Sequence, residues 1–275
     1  MSRGFIYVVS SAVLAITLLV CQVGGWTIDI PATSTTSTAV QGSGDVVEEE
    51  RDVSSFTELA LNGIGDVIVE LSESESLTVE AEDNLMQYLE TEVHGSRLEI
   101  GIRDHANIRP TEPVRFYLTV VELDAITLSG SGNIRIPDLE ADRFQMTIYG
   151  SGDIELGELT SEDVNIRITG SGDIDVMGLY ADNLDINITG SGDVNIHDGQ
   201  VDYQDISIPG SGYYSAIDLE SEQAEVVIFG SGDVTLRVNE RLDVRIPGSG
   251  DVRYAGNPTV DSSVGGSGRV RHIGD

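Results

Sequence analysis

Five carboxylates recur in this sequence at an interval that could bring them together. Asp153, Asp173 and Asp193 are spaced 20 residues apart, and so are Glu155 and Asp175. If the chain stacks in coils of that length, they form ladders with neighbours about 4.8 Å apart. Like charges that close repel, at roughly 0.8 kcal/mol per contact even in water. Ca²⁺ accepts irregular sets of oxygen ligands, so these residues are candidate ligands of a weak divalent-cation site, with calcium as the candidate cofactor and an affinity of about 10⁻⁴ to 10⁻³ M. The plainer reading is that each aspartate accepts hydrogen bonds from backbone amides of the corner it follows. The Gly-Ser-Gly-Asp text resembles calcium-binding nonapeptide repeats only superficially, because their period is nine.

Catalytic chemistry is poorly supplied. The serines of the Gly-Ser-Gly triplets lack the spacing of a nucleophile elbow and have no histidine in the repeat. His94, His105, His197 and His272 are scattered without metal-ligand spacing. No lysine occurs, which excludes Schiff-base and P-loop chemistry. These absences favour a non-enzyme with no catalytic residues. Forty-seven acids against fifteen bases give a net charge of −32. Such a surface repels nucleic acid and anionic lipid and favours cations or basic patches as partners. Residues 234–275 differ, with six arginines against five acids.

The positioning elements follow from a repeat. Gly-Ser-Gly occurs at 42–44, then in series at 130–132, 150–152, 170–172, 190–192, 210–212 and 230–232, and again at 248–250 and 266–268. Between triplets the alternation is strict: Leu184, Ile186, Ile188, Gly190, Gly192, Val194 and Ile196 share one parity, and polar residues hold the other. That is the period of half-buried strands. The glycines keep the inward parity, which suits corners where the backbone turns sharply or approaches the interior closely. The predicted corners are Gly130 and Gly132, Gly150 and Gly152, Gly170 and Gly172, Gly190 and Gly192, Gly210 and Gly212, Gly230 and Gly232, and Gly248 and Gly250.

Two all-β architectures fit. In the first, each repeat is one coil of a parallel β-helix, a solenoid of about 20-residue coils turning on Gly-Ser-Gly. In the second, each triplet is the loop of an antiparallel hairpin, pairing Ile168 with Ile174 and Ile166 with Val176. The segments holding Leu139, Leu179 and Leu219, each followed two places later by a small residue, read as a third short inward side and favour the solenoid. Phe56, Leu59, Leu61, Val67 and Val69 then form two strands about a degenerate corner, Gly63-Ile64-Gly65-Asp66. Asn84 to Leu89 has helical spacing behind an Asp83 or Asn84 cap and would cover the first coil.

The amino-terminal region reads differently. Phe5 to Val23 is an apolar run flanked by Arg3, so residues 1–28 are expected to be a signal peptide or membrane anchor, cleaved or retained. Cys21, the only cysteine, raises a lipoprotein reading that the bulky Val20 before it opposes. Residues 29–41 read as a Thr/Ser-rich linker, 42–129 as the irregular coils and cap of the solenoid, and 130–275 as its regular part. The domain is therefore expected outside the cytoplasm, secreted or held at the membrane by its amino-terminal segment.

The runs Gly42-Ser43-Gly44-Asp45-Val46 to Phe56, Asn62-Gly63-Ile64-Gly65-Asp66-Val67 and Leu77-Thr78-Val79-Glu80-Ala81-Glu82-Asp83-Asn84-Leu85 add a resemblance. With the later triplets they resemble the putative auto-transporter adhesin, head GIN domain family over residues 42–275. The resemblance implies a right-handed parallel β-helix in exported bacterial or archaeal proteins and carries no catalytic residues. The functional expectation is a non-enzymatic cell-envelope scaffold or interaction module, adhesin-like, meeting a cell-surface polymer or protein. The competing reading is a carbohydrate-binding or carbohydrate-active β-helix, for which only Tyr213-Tyr214 hints at an aromatic platform.

Overall fold

The computed structural model describes residues 39–104 and 106–274. Phe5 to Val23, Cys21 and most of the Thr/Ser stretch lie outside the described residues, and so does His105. Among the described residues no helix is long and apolar enough to cross a membrane.

Alternation becomes parallel stacking. Leu184, Ile186 and Ile188 point inward and are buried. Ile186 stands opposite Ile166 on one neighbouring coil and Ile206 on the other, all three chains running the same way. The hairpin alternative is thereby corrected: Ile168 is opposite Ile148 and Ile188, and Ile166 is opposite Met146 and Ile186. A hairpin would leave each apolar face one strand pair wide, whereas stacking buries the same face continuously from coil to coil.

Each coil has three sides. Strands such as Ala125–Leu128 and the later part of Leu219–Ile228 form the side before the corner, and Ile134–Ile136 and Tyr214–Ala216 the side after it. Leu139, Leu159, Leu179 and Leu219 are buried on the third side. The register is 20 residues up to Val226, which then faces Val244 across an 18-residue coil.

The corners explain the glycines. A Cβ on Gly150 would lie 1.9 Å from the Gly130 carbonyl oxygen, and one on Gly170 would lie 1.9 Å from that of Gly150. Backbone therefore packs on backbone at the turn, leaving no room for a side chain. The intervening serine amide donates to the glycine carbonyl of the preceding coil, as Ser171 does to Gly150 at 2.9 Å and Ser191 to Gly170 at 3.0 Å. The column begins at the degenerate corner, because a Cβ on Gly130 would overlap the Gly63 carbonyl oxygen at 1.7 Å.

At the amino-terminal end the coils do not follow chain order. Strand Glu58–Asn62 is parallel to Ala125–Leu128 on one edge and to the later Arg97–Ile102 on the other. Outside these lie antiparallel pairings: Ser76–Glu82 with Arg115–Val120 and with Val46–Arg51, and Leu89–His94 with Arg97–Ile102. These strands pair the edge that a parallel stack would leave open. The helix expected at Asn84 to Leu89 is one 3₁₀ turn, Met86–Tyr88, and it has no side-chain cap. Its would-be caps hold the segment before the first coil instead: Asn84 Oδ1 accepts the Ser43 N–H at 3.0 Å, and Asp83 accepts the Ser43 hydroxyl at 2.6 Å.

Candidate functional site

The residue after most corners is an aspartate on an outward edge, whose carboxylate reaches the next coil. Asp153 Oδ1 accepts the Asp173 N–H at 2.9 Å, Asp173 Oδ1 accepts that of Asp193 at 2.8 Å, and Asp193 Oδ1 accepts that of Tyr213 at 2.8 Å. Asn133 does the same for Asp153 at 3.1 Å, so the ladder needs an acceptor oxygen and tolerates a neutral one. Partial burial pushes the Asp173 carboxyl above the usual range; the Asp193 N–H opposes this, and the charges of Asp193, Asp153 and Asp175 add to it.

The second carboxylate column meets other side chains. Glu155 meets the Arg135 guanidinium at 3.0 Å, and Asp175 lies 3.2 Å from His197 Nε2. The structure thus brings the five predicted ligands into two neighbouring columns. One oxygen of Asp153, Asp173 and Asp193 is engaged by an amide, and Glu155 and Asp175 have side-chain partners. Among the described residues no three His, Cys, Asp or Glu side chains are grouped so as to hold a metal ion.

His94 lies beside Glu92 at 3.1 Å, and the His272 ring stands 5.1 Å from that of Tyr254. The aromatic pair named from the sequence separates: Tyr213 is 51% exposed and Tyr214 1%. Tyr214 takes the inward parity of Val234, and its hydroxyl donates to the buried Gln204 Oε1 at 2.6 Å.

Two further polar features escaped the sequence reading. Glu82 is buried, and its carboxylate accepts the Gly44 N–H at 2.7 Å, the Thr111 N–H at 2.9 Å and the Thr111 hydroxyl. The Thr111 hydroxyl bond chiefly holds its pKa below the ordinary glutamate value, against the opposing effect of burial. The first triplet, residues 42–44, is therefore no solenoid corner: a Cβ on Gly42 would strike the Glu82 carboxylate at 2.0 Å. No local signal marks this partnership.

The second feature was legible. Asp142, Glu162, Asp182, Asp202 and Glu222 repeat at the coil interval, all exposed, and Glu240 follows, its amide donating to the Glu222 carbonyl. They make an acidic edge along the third side.

With this geometry in view, comparison with known proteins gives a consistent result. The model of the putative auto-transporter adhesin, head GIN domain family matches residues 55–178 and again 155–258. The solved structure of a putative lipid binding protein from Parabacteroides distasonis is 28% identical, covers 86% of this chain and 100% of its own, and superposes with a TM-score of 0.81. A putative adhesin from Parabacteroides merdae, 23% identical, covers 86% of this chain and 99% of its own with a TM-score of 0.75. Another from Bacteroides fragilis, 22% identical, covers 86% and 100% with a TM-score of 0.65. At those identities the two adhesins share the fold. No curated protein matches the sequence.

Proposed function

Because the chain belongs to the putative auto-transporter adhesin, head GIN domain family, we propose that it is an exported, non-enzymatic interaction module of the cell envelope. The observation that carries this reading is where the repeat's polar groups go. Serine amides bind glycine carbonyls, and aspartate carboxylates bind the amides of the next coil. The recurring motif is thus architecture, and the outward side chains of the stacked coils are what remains to meet other molecules.

Export rests on the apolar run Phe5 to Val23 behind Arg3, with the acidic domain following it. Two surface features bear on the class of partner. Tyr149, Tyr213 and Phe229 are exposed aromatic side chains of the kind that stack on sugars. A groove of about 430 Å³ holds Met177, Ile136 and Leu156 between Arg135 and Asp175, and one relative of the same fold is a putative lipid binding protein.

The test is a binding array of envelope glycans, envelope proteins and lipid vesicles probed with the full-length chain, beside protease treatment of intact cells. The reading expects a saturable partner in the array and digestion of the domain from outside. A domain protected in intact cells and digested only after lysis would overturn it.

A further inference from the structure

The third side carries an apolar groove inside an acidic trough. Leu71 ends the strand Asp66–Leu71, and Val121 follows the strand Arg115–Val120 paired with it. Both are surface aliphatics, 44% and 54% exposed. They line one groove of about 340 Å³, with Glu122, Asp138, Glu140 and Glu158 around them. A second depression of about 660 Å³ shares Glu122, Glu140 and Thr160 with it and continues past Asp124, Asp142, Glu162 and Asp182. Every charged residue lining either one is acidic.

Among the described residues, counter-charge is placed on other acidic columns and not on this one. Elsewhere on the coils, arginines are placed against stacked acids: Arg135 on Glu155, Arg143 on Asp163, Arg245 on Glu225 and Arg253 on Asp233. Among the described residues none of the eight trough carboxylates has an ion-pair partner. An anionic lipid surface would be repelled there. A metal ion finds no convergent set of three donors among the described residues. A polypeptide with spaced positive charges and an apolar side chain satisfies both the aliphatic seat and the carboxylates.

We propose that this trough docks a basic protein segment laid across the coils. One aliphatic side chain of the segment sits against Leu71 and Val121, and its arginines or lysines lie along Glu140, Asp142 and Glu162. The proposal rests on the interaction-module reading and gives that module a site and a partner chemistry.

The probe is a fluorescein-labelled peptide of alternating arginine and glycine with one central leucine, and a twin with serine in its place. Fluorescence anisotropy would be read on the full-length chain at low and physiological salt. The leucine peptide should bind the native protein several-fold more tightly than its twin, and equally to it after Val121→Ser. The triple variant Glu140→Gln, Asp142→Asn, Glu162→Gln should lose about tenfold in affinity, the combined contribution of three exposed charge contacts. The charge-matched triple Asp185→Asn, Asp205→Asn, Glu225→Gln on another side should keep native affinity, with circular dichroism melts confirming that both variants fold. Equal losses in the two triples, no preference for leucine, or displacement of the peptide by millimolar Ca²⁺ at fixed ionic strength would each overturn the proposal. If the trough triple keeps its peptide affinity while an array partner still binds, this inference fails and the interaction-module reading stands. If neither peptide nor array component binds, both fail.

Discussion

The Asp173 carboxylate accepts the Asp193 main-chain N–H at 2.8 Å across the boundary between two coils, although the two side chains carry the same charge. The hydrogen bond involves the Asp193 main-chain amide and the repulsion its side-chain carboxylate, so the two can be separated by substitution.

Asp173→Asn keeps the acceptor, as Asn133 does two coils earlier, and removes the charge. It should raise the melting temperature, more so at low salt. Asp173→Ala should lower stability by about 1 kcal/mol through the lost bond. The folded pKa of Asp173 is raised, so the ionised form is penalised in the folded state. The advantage of the Asn variant should be full at neutral pH and shrink as pH falls through that raised value toward 3.8. Since an amide already occupies one oxygen of each of these aspartates, millimolar Ca²⁺ at fixed ionic strength should shift the native and Asn-variant melts equally. A calcium-dependent rise confined to the native protein would establish the cation site.

Gly170→Ala places a Cβ 1.9 Å from the Gly150 carbonyl oxygen, and the positions of both are fixed by backbone. Relief requires coil movement, and the expected loss is at least about 1–3 kcal/mol. Gly178→Ala in the same coil meets the Glu158 side chain, no nearer than 3.4 Å, and should be tolerated. Urea denaturation of the two variants distinguishes a corner that excludes side chains from a general preference for glycine.

Tyr214→Phe leaves the buried Gln204 Oε1 without its donor, beside an Nε2 that already has no partner among the described residues. The single variant should lose about 1–3 kcal/mol. Adding Gln204→Leu, which restores the residue type of the facing Leu184, should recover most of it. A double variant less stable than the single one would show that the pair does more than satisfy itself.

Glu82→Ala should release residues 41–44, read as faster amide exchange at Gly44 and Thr111, with the coils beyond Gly130 unchanged. The Glu82 pKa is held below 4.5, so its contribution is present above that pH and lost as pH falls through the lower folded value. Exchange at the same two amides in the native protein should rise over that acid range. Protection that stays constant there would rule out the carboxylate as the clasp.

Much of this protein was determined by its sequence alone. Ile166, Ile186 and Ile206 could be assigned to one inner column because side-chain parity is local and the interval repeats. In a stack held by nearest neighbours, a local pattern with a period is nearly the whole specification. The acidic edge from Asp142 to Glu240 was readable by the same logic, and so was the inward parity of Tyr214. The tertiary structure alone decided matters where the period fails. It set Glu58–Asn62 between Arg97–Ile102 and Ala125–Leu128, and it joined Glu82 to Gly44 and Thr111. Those pairings join residues far apart in the chain, with no repeat to announce the register.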